Sequence, residues 1–227
     1  RRGSDAVSAP LAFTVARDWV PRVDADDPAG DDHGRNGRYR YPTDPAWATH
    51  RPQDILGVRA WSAGGALKLE LRMRKLLALW NPANGFDHVA FNVFLGMPDA
   101  AGGGTVMPLQ NGTLPDGMRW HYRLRTHGWS NALFSAEGAA ADREGTSVSP
   151  GATLHADLER NTLTLTFPAG ALGNRDSLSG VQVYVNTWDY DSRYRGLEPL
   201  PTVFGFGGGD GRHDPLVMDE TGVITLP

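Results

Sequence analysis

Five carboxylates fall within nine positions near the start of the chain: Asp24, Asp26, Asp27, Asp31 and Asp32. They sit in the run Asp24-Ala25-Asp26-Asp27-Pro28-Ala29-Gly30-Asp31-Asp32-His33-Gly34. Such crowding is self-repulsive unless it faces water or a cation. Calcium takes roughly six to eight oxygen ligands from flexible loops, backbone carbonyls included, so this loop is a candidate calcium site. It is not an EF-hand: Asp24 and Asp26 have the right spacing, but position 28 is Pro and no Glu closes the loop. The same residues also read as a solvated acidic loop balanced by Arg35, Arg38 and Arg40.

Tryptophan supplies the second kind of chemistry. Seven Trp occur in 227 residues. A flat indole packs against the C–H face of a sugar, while nearby amides and carboxylates bond its hydroxyls. Trp80, Trp129, Trp188 and Tyr190 stand at strand ends beside polar residues, among them Asn84 and Asp189, and are the candidate carbohydrate contacts. Trp caps on the ends of a core explain any one of them as well. Trp61, Trp120 and Tyr122 lie within strand patterns and are expected in the core.

Catalytic constellations do not stand out. The seven His are scattered, with no zinc-binding spacing, and there is no nucleophile elbow or Walker loop. The Gly-rich run 205–211 precedes no helix pattern and reads as a turn or close backbone packing. Asp87, Asp189 and Asp191 could pair for glycoside hydrolysis, but any acidic chain offers such pairs. Asp87 and His88 are adjacent, and on a strand would point to opposite faces. With no Cys, disulfides and thiolate chemistry are excluded. A formal charge of −4 disfavours nucleic acid as a partner. No run of about 18 apolar residues is present to span a membrane.

These residues need a scaffold, and period-two alternation supplies it. Leu67 to Arg74 alternates apolar and charged residues without error, the pattern of a half-buried strand. Trp120–Arg125, Leu163–Phe167 and Val181–Val185 repeat it. Leu11–Val15, Ile55–Trp61, Val89–Leu95, Leu133–Ala136 and Val223–Leu226 also read as strands. That makes about ten, with single helical turns at most over 75–80 and 139–144. The 28 Gly and 16 Pro, roughly a fifth of the chain, supply turns between them. An all-β antiparallel sandwich, jelly-roll or immunoglobulin-like, follows. One domain is expected over 1–227, with residues 1–10 a flexible end and Arg1-Arg2-Gly3-Ser4 a trimmed one. Two loops, 21–53 and 188–220, are long for a sandwich and are expected to carry function or a metal.

The motifs also resemble a known family. Asp27-Pro28-Ala29-Gly30-Asp31-Asp32-His33-Gly34, Gly37 to Thr43, Asp54-Ile55, Trp80-Asn81-Pro82, Asn84 to Asp87, Gly128-Trp129, Thr187-Trp188-Asp189, Phe206 to Gly209 and Val217-Met218-Asp219 run in order from about residue 12 to 221. Together they resemble the C-terminal, binding-module-like domain of glucodextranase, found also in amylopullulanases. The resemblance implies a β-sandwich akin to family 9 carbohydrate-binding modules and DOMON domains. It implies an accessory module beside a secreted α-glucan hydrolase, in the same or another chain, at an extracellular, periplasmic or cell-surface location. By the same analogy calcium is held by Asp27, Asp31 and Asp32, with Asp54 folding back and Asp24 and Asp26 as further candidates. The expected ligand is a polysaccharide or oligosaccharide, α-glucan first. A docking or surface-attachment domain that binds no sugar, and a β-sandwich glycoside hydrolase, are the alternatives.

Overall fold

A computed structural model describes residues 18–227. The expected strand Leu11–Val15 and the expected flexible end 1–10 lie outside the described residues. One antiparallel sheet contains β1 (Val20–Asp26), β2 (Ile55–Ala63), β3 (Ala66–Met73), β10 (Thr153–Asp157) and β11 (Thr162–Phe167), in the order β1-β2-β3-β11-β10. The other is built on β4 (Ala90–Gly96), β7 (Tyr122–His127), β8 (Ser130–Ser135) and β12 (Gln182–Trp188). Three short strands complete it: β9 (Thr146–Ser147), β15 (Asp219–Glu220) and β16 (Ile224–Thr225). Its order is β15-β12-β4-β7-β8-β9, with β16 also on β12. The hairpin β5 (Val106–Met107)–β6 (Gly112–Thr113) and the parallel pair β13 (Leu197–Glu198)–β14 (Phe206–Gly207) shape the loops.

The inner faces of the two sheets make the core. On β3, Leu67, Leu69, Leu71 and Met73 are buried, while Lys68, Glu70 and Arg72 face outward. Leu163, Leu165 and Phe167 of β11 stand opposite Leu71, Leu69 and Leu67. Phe91, Val93 and Leu95 of β4, with Val183 and Val185 of β12, pack onto them from the other sheet. This is the all-β sandwich the alternation demands.

The second sheet is buried on both faces. All seven residues of β4 are buried, which is why that segment reads as an apolar run and not as an alternation. Its outer side is covered by loops carrying Met107, Leu114, Met118, Trp120 and Val217. Trp120 and Tyr122, two apart in an alternating run, would share one face of a strand but do not: Trp120 precedes β7 and packs in this outer cluster, whereas Tyr122 packs against the inner core. Trp120 is fully buried, as expected, whereas Trp61 is not core. It lies on the outer side of the first sheet, half-buried under the Lys68 ammonium, 4.7 Å from its ring centre. β1 and β10 were hidden in the sequence because they are edge strands with little buried surface. The single helical turns fall at α1 (Pro45–Ala48) and at a 3-10 turn, Ala169–Leu172, not over 75–80 or 139–144.

Leu165 is fully buried at the centre of the inner face. Leu165→Ala is expected to cost about 2–5 kcal/mol, read as a lowered denaturant midpoint with unchanged slope; a loss below 1 kcal/mol would contradict this core.

Candidate functional site

Two groupings carry chemistry. The first is acidic. Asp27 just after β1, Asp31 in the following turn and Asp219 of β15 bring carboxylate oxygens within 4.8 Å of one another. Pairing of β15 with β12 delivers Asp219, almost 190 residues away, to the turn. Its Oδ2 accepts from the Ile55 N–H at 2.7 Å, and its Oδ1 from the Glu220 N–H at 2.8 Å. Asp27 Oδ2 is buried without a partner. Among the described residues no cation pairs with any of the three. Burial, then repulsion from Asp31, Asp54 and Glu220, pushes the Asp27 carboxyl up to about 7. Burial, then Asp31 and Asp27, pushes Asp219 up to about 8 against the N–H bonds that favour its charge. Asp31 is raised too, burial first.

The other expected ligands sit elsewhere. Asp54 is adjacent but committed: both its oxygens accept from the Gly30 N–H at 3.1 Å, and Arg74 reaches it at 3.2 Å. It therefore fixes the turn that presents Asp31. Asp32 is buried on the opposite side of the loop, bound by the Tyr41 hydroxyl and the Arg51 guanidinium. Asp24 and Asp26 lie on β1, where Arg59 and Arg72 from β2 and β3 neutralise them. Strand geometry, not loop flexibility, decides their partners.

The second grouping is aromatic. Trp80 and Trp129 are 47% and 48% exposed, with ring centres 6.5 Å apart and planes 26° from parallel. Together with Tyr190, His127, Asp191 and Ser192 they line a pocket of about 420 Å³. Trp129 projects from the tight turn between β7 and β8. A Cβ on Gly128 would lie 2.7 Å from the Phe86 carbonyl, so only glycine lets the 80–88 loop seat here. Asn84 clamps the seat: its Nδ2 donates to the His127 and Ser130 carbonyls at 2.6 and 3.1 Å. Trp80 rests on the His88 ring, 4.2 Å away, and His88 on buried Trp47, 4.4 Å away.

Asp87 and His88 do meet, contrary to the strand argument. His88 has φ +64, so it turns back and its Nδ1 lies 2.5 Å from Asp87 Oδ1. Asp87 Oδ2 also accepts from the Trp80 N–H at 2.7 Å. Burial pushes the Asp87 carboxyl up, but these bonds outweigh it and the group ends lowered. The pair thus braces Trp80.

Trp188 is corrected from surface to core. It is fully buried, against Phe206 at 4.4 Å and Tyr39 at 5.9 Å. Asp189 is buried beside it, accepting from Arg195 Nε at 2.7 Å and Trp47 Nε1 at 3.1 Å. It braces the loop and does not face the pocket. A larger groove of about 940 Å³, along Arg38–Tyr41 and Pro199–Leu200, has no Trp in its lining. The Gly-rich run closes one side of it: a Cβ on Gly208, φ +96, would lie 2.1 Å from the Arg38 carbonyl, the close backbone packing expected.

Comparison with protein families matches residues 23–223 to the C-terminal binding-module, SLH-like, of glucodextranase. The chain belongs to this family. The glucodextranase C-terminal module is a binding or accessory domain, and the acidic cluster and aromatic pocket both lie inside the matched span. Comparison with curated proteins gave no match. No helix among the described residues is long and apolar enough to cross a membrane. Sequence reasoning about this module missed Asp219 as a cluster member and His127 as a pocket residue. Only the pairing of β15 with β12 reveals the first, and His127 ends a strand like any other.

A carboxyl raised in the folded state favours folding while protonated. That contribution is present below about pH 4 and is lost as pH rises through about 7 to 8. In chelator the melting temperature is therefore expected to fall between pH 5 and 8.5, and Asp219→Asn to flatten the fall; an identical slope in the variant would contradict the cluster.

Proposed function

We propose that this module binds carbohydrate through the Trp80–Trp129 pocket, is non-catalytic, and is stabilised by calcium at Asp27, Asp31 and Asp219. The observation that carries the first part is two large indoles, each about half exposed and near-parallel, at one pocket. Exposed Trp is costly to hold in water, and sugar C–H faces are its natural cover. An α-glucan is the ligand favoured by the association of this family with glucodextranase. By the same association the module works outside the cell or at its surface, beside a hydrolase domain in its own or another chain.

For calcium, the support is an all-oxygen cluster with an orphaned buried oxygen and, among the described residues, no cation paired to it. Bound there, the ion would tie the end of β1 to β15. In a chain without Cys it would take the place of a cross-link.

A docking role has one observation in its favour. Leu200, Val203 and Phe204 are 72%, 52% and 52% exposed on one loop. An apolar loop of that kind suits a protein surface.

Two measurements test this reading. Affinity electrophoresis and calorimetry with starch, pullulan, dextran and maltooligosaccharides should show binding. Trp80→Ala and Trp129→Ala should each weaken it at least tenfold, and Trp188→Ala should instead lose about 3–5 kcal/mol of stability. A folded protein that binds none of these glucans overturns the sugar site and leaves the docking role. Separately, calcium at a hundredfold excess over its Kd should add about 2.7 kcal/mol. That raises the melting temperature by about 5–10 °C over chelator. The rise should vanish in Asp27→Asn and persist in Asp26→Asn; equal melting temperatures with and without calcium overturn the metal.

A further inference from the structure

The floor of the aromatic pocket holds a polar group that the protein itself leaves unused. His127, the last residue of β7, is only 7% exposed and lines the pocket. Its Nδ1 accepts from the Trp129 N–H at 3.4 Å, so the ring hydrogen sits on Nε2. That Nε2–H is buried with no hydrogen-bond partner. Burial, with the Arg125 cation beside it, pushes the imidazole down to about 4, so the ring is neutral at physiological pH. A buried donor without an acceptor is a rare and costly arrangement, and a ligand that brings an acceptor relieves it.

The cover over His127 is an aromatic ring held by no side-chain hydrogen bond among the described residues. Tyr190 stacks on the imidazole, with centres 4.4 Å apart and planes 21° from parallel. Arg125 lies 4.5 Å from the Tyr190 ring, and Tyr194 packs edge-on to that ring at 5.2 Å. The Tyr190 hydroxyl makes no hydrogen bond among the described residues, so ring contacts with His127, Arg125 and Tyr194 hold the ring in place. Beyond it, the turn to Tyr194 presents Ser192, at φ +60, and Asp191, whose side chain is 68% exposed. Asp191 is an acceptor with a negative charge; Arg195, which is not part of the pocket lining, stands 3.7 Å from it.

We propose that His127 sets the specificity of this pocket. A neutral sugar residue slides the Tyr190 ring aside, packs on Trp80 and Trp129, and accepts the Nε2–H bond on a hydroxyl or ring oxygen. Asp191 accepts from a hydroxyl of the same residue and repels a carboxylate, so the pocket takes neutral hexoses and rejects uronic acids. The inference rests on the carbohydrate reading of the pocket and goes beyond it in naming the polar contact and the charge class.

The test uses the full chain with maltoheptaose and with an oligogalacturonide. Calorimetry is run on wild type, His127→Phe, His127→Gln and Asp191→Asn, and the histidine ring nitrogens are followed by NMR on wild type. Expected are a shift of the His127 Nε2 signal on saturation with maltoheptaose and at least a fivefold loss of affinity in H127F. H127Q, which keeps an N–H at that place, should retain most of the affinity. The oligogalacturonide should bind wild type at least tenfold more weakly than maltoheptaose, a gap that narrows in D191N. Should H127F unfold, the wild-type Nε2 shift decides. Maltoheptaose binding with Nε2 unmoved and H127F unchanged, or uronate binding as tight as neutral, overturns this inference and leaves the sugar site standing. No glucan binding by wild type overturns both.

Discussion

A fully buried arginine governs this fold. Arg123, on the outer face of the second sheet, donates from Nη2 to Asn92 Oδ1 at 3.0 Å and to the Tyr194 hydroxyl at 2.6 Å. Its Nη1 meets Glu144 at 3.1 Å, and the same carboxylate takes Arg125. Nearby, Gln110 Nε2 donates to Asn186 Oδ1 and to the Leu216 carbonyl, both at 2.9 Å. A charge out of water must be paired and hydrogen-bonded, or the site does not form. The sheet therefore cannot be covered on this side without loops that arrive with the right polar groups. Because Tyr194, Glu144, Gln110 and Leu216 come from three separate loops, one network sets the course of all of them.

Both groupings with chemistry lie where those loops rejoin the sheet. The Tyr190–Tyr194 turn is pinned at Tyr194 by Arg123, and it carries Tyr190, Asp191 and Ser192 into the pocket. The chain past Leu216 re-enters the sheet as β15 and delivers Asp219 to the acidic turn. The sandwich core supplies stability, while the buried polar seam supplies position. Trp80 needs its own brace, the Asp87–His88 pair over Trp47, since no strand holds it.

Much of the fold could be read before any coordinates. Alternation in β3 and β11 is a direct consequence of one wet face and one dry face, so it shows in the sequence; β7 alternates too, but its polar face is buried under loops, with Arg123 and Arg125 paired to Glu144. In the edge strand β1 the pattern shrinks to Val23-Asp24-Ala25-Asp26, where only Val23 and Ala25 are partly buried. Asp27, Asp31, Trp80, Trp129 and Tyr190 were visible as residue types in loops. Trp188 looked identical to them, since a Trp at a strand end is core or surface according to which loop crosses it. Here the segment around Phe206 does. Asp32 and Asp219 differ only in direction: one is turned to Arg51, the other to the cluster, and no spacing rule encodes that choice. The Asp87–His88 contact depends on one positive φ.

The central claim is that Trp80 and Trp129 form one ligand site. The most direct measurement is an indole N–H NMR titration of the full chain, in buffer containing calcium, with maltoheptaose. The Trp80 and Trp129 signals should move together and saturate with a single Kd, while those of buried Trp47, Trp120 and Trp188 stay nearly still. Shifts confined to Trp61 on the opposite sheet and Trp19, which precedes β1 and meets the same Lys68 ammonium, or no shift of any indole at millimolar sugar, would contradict it.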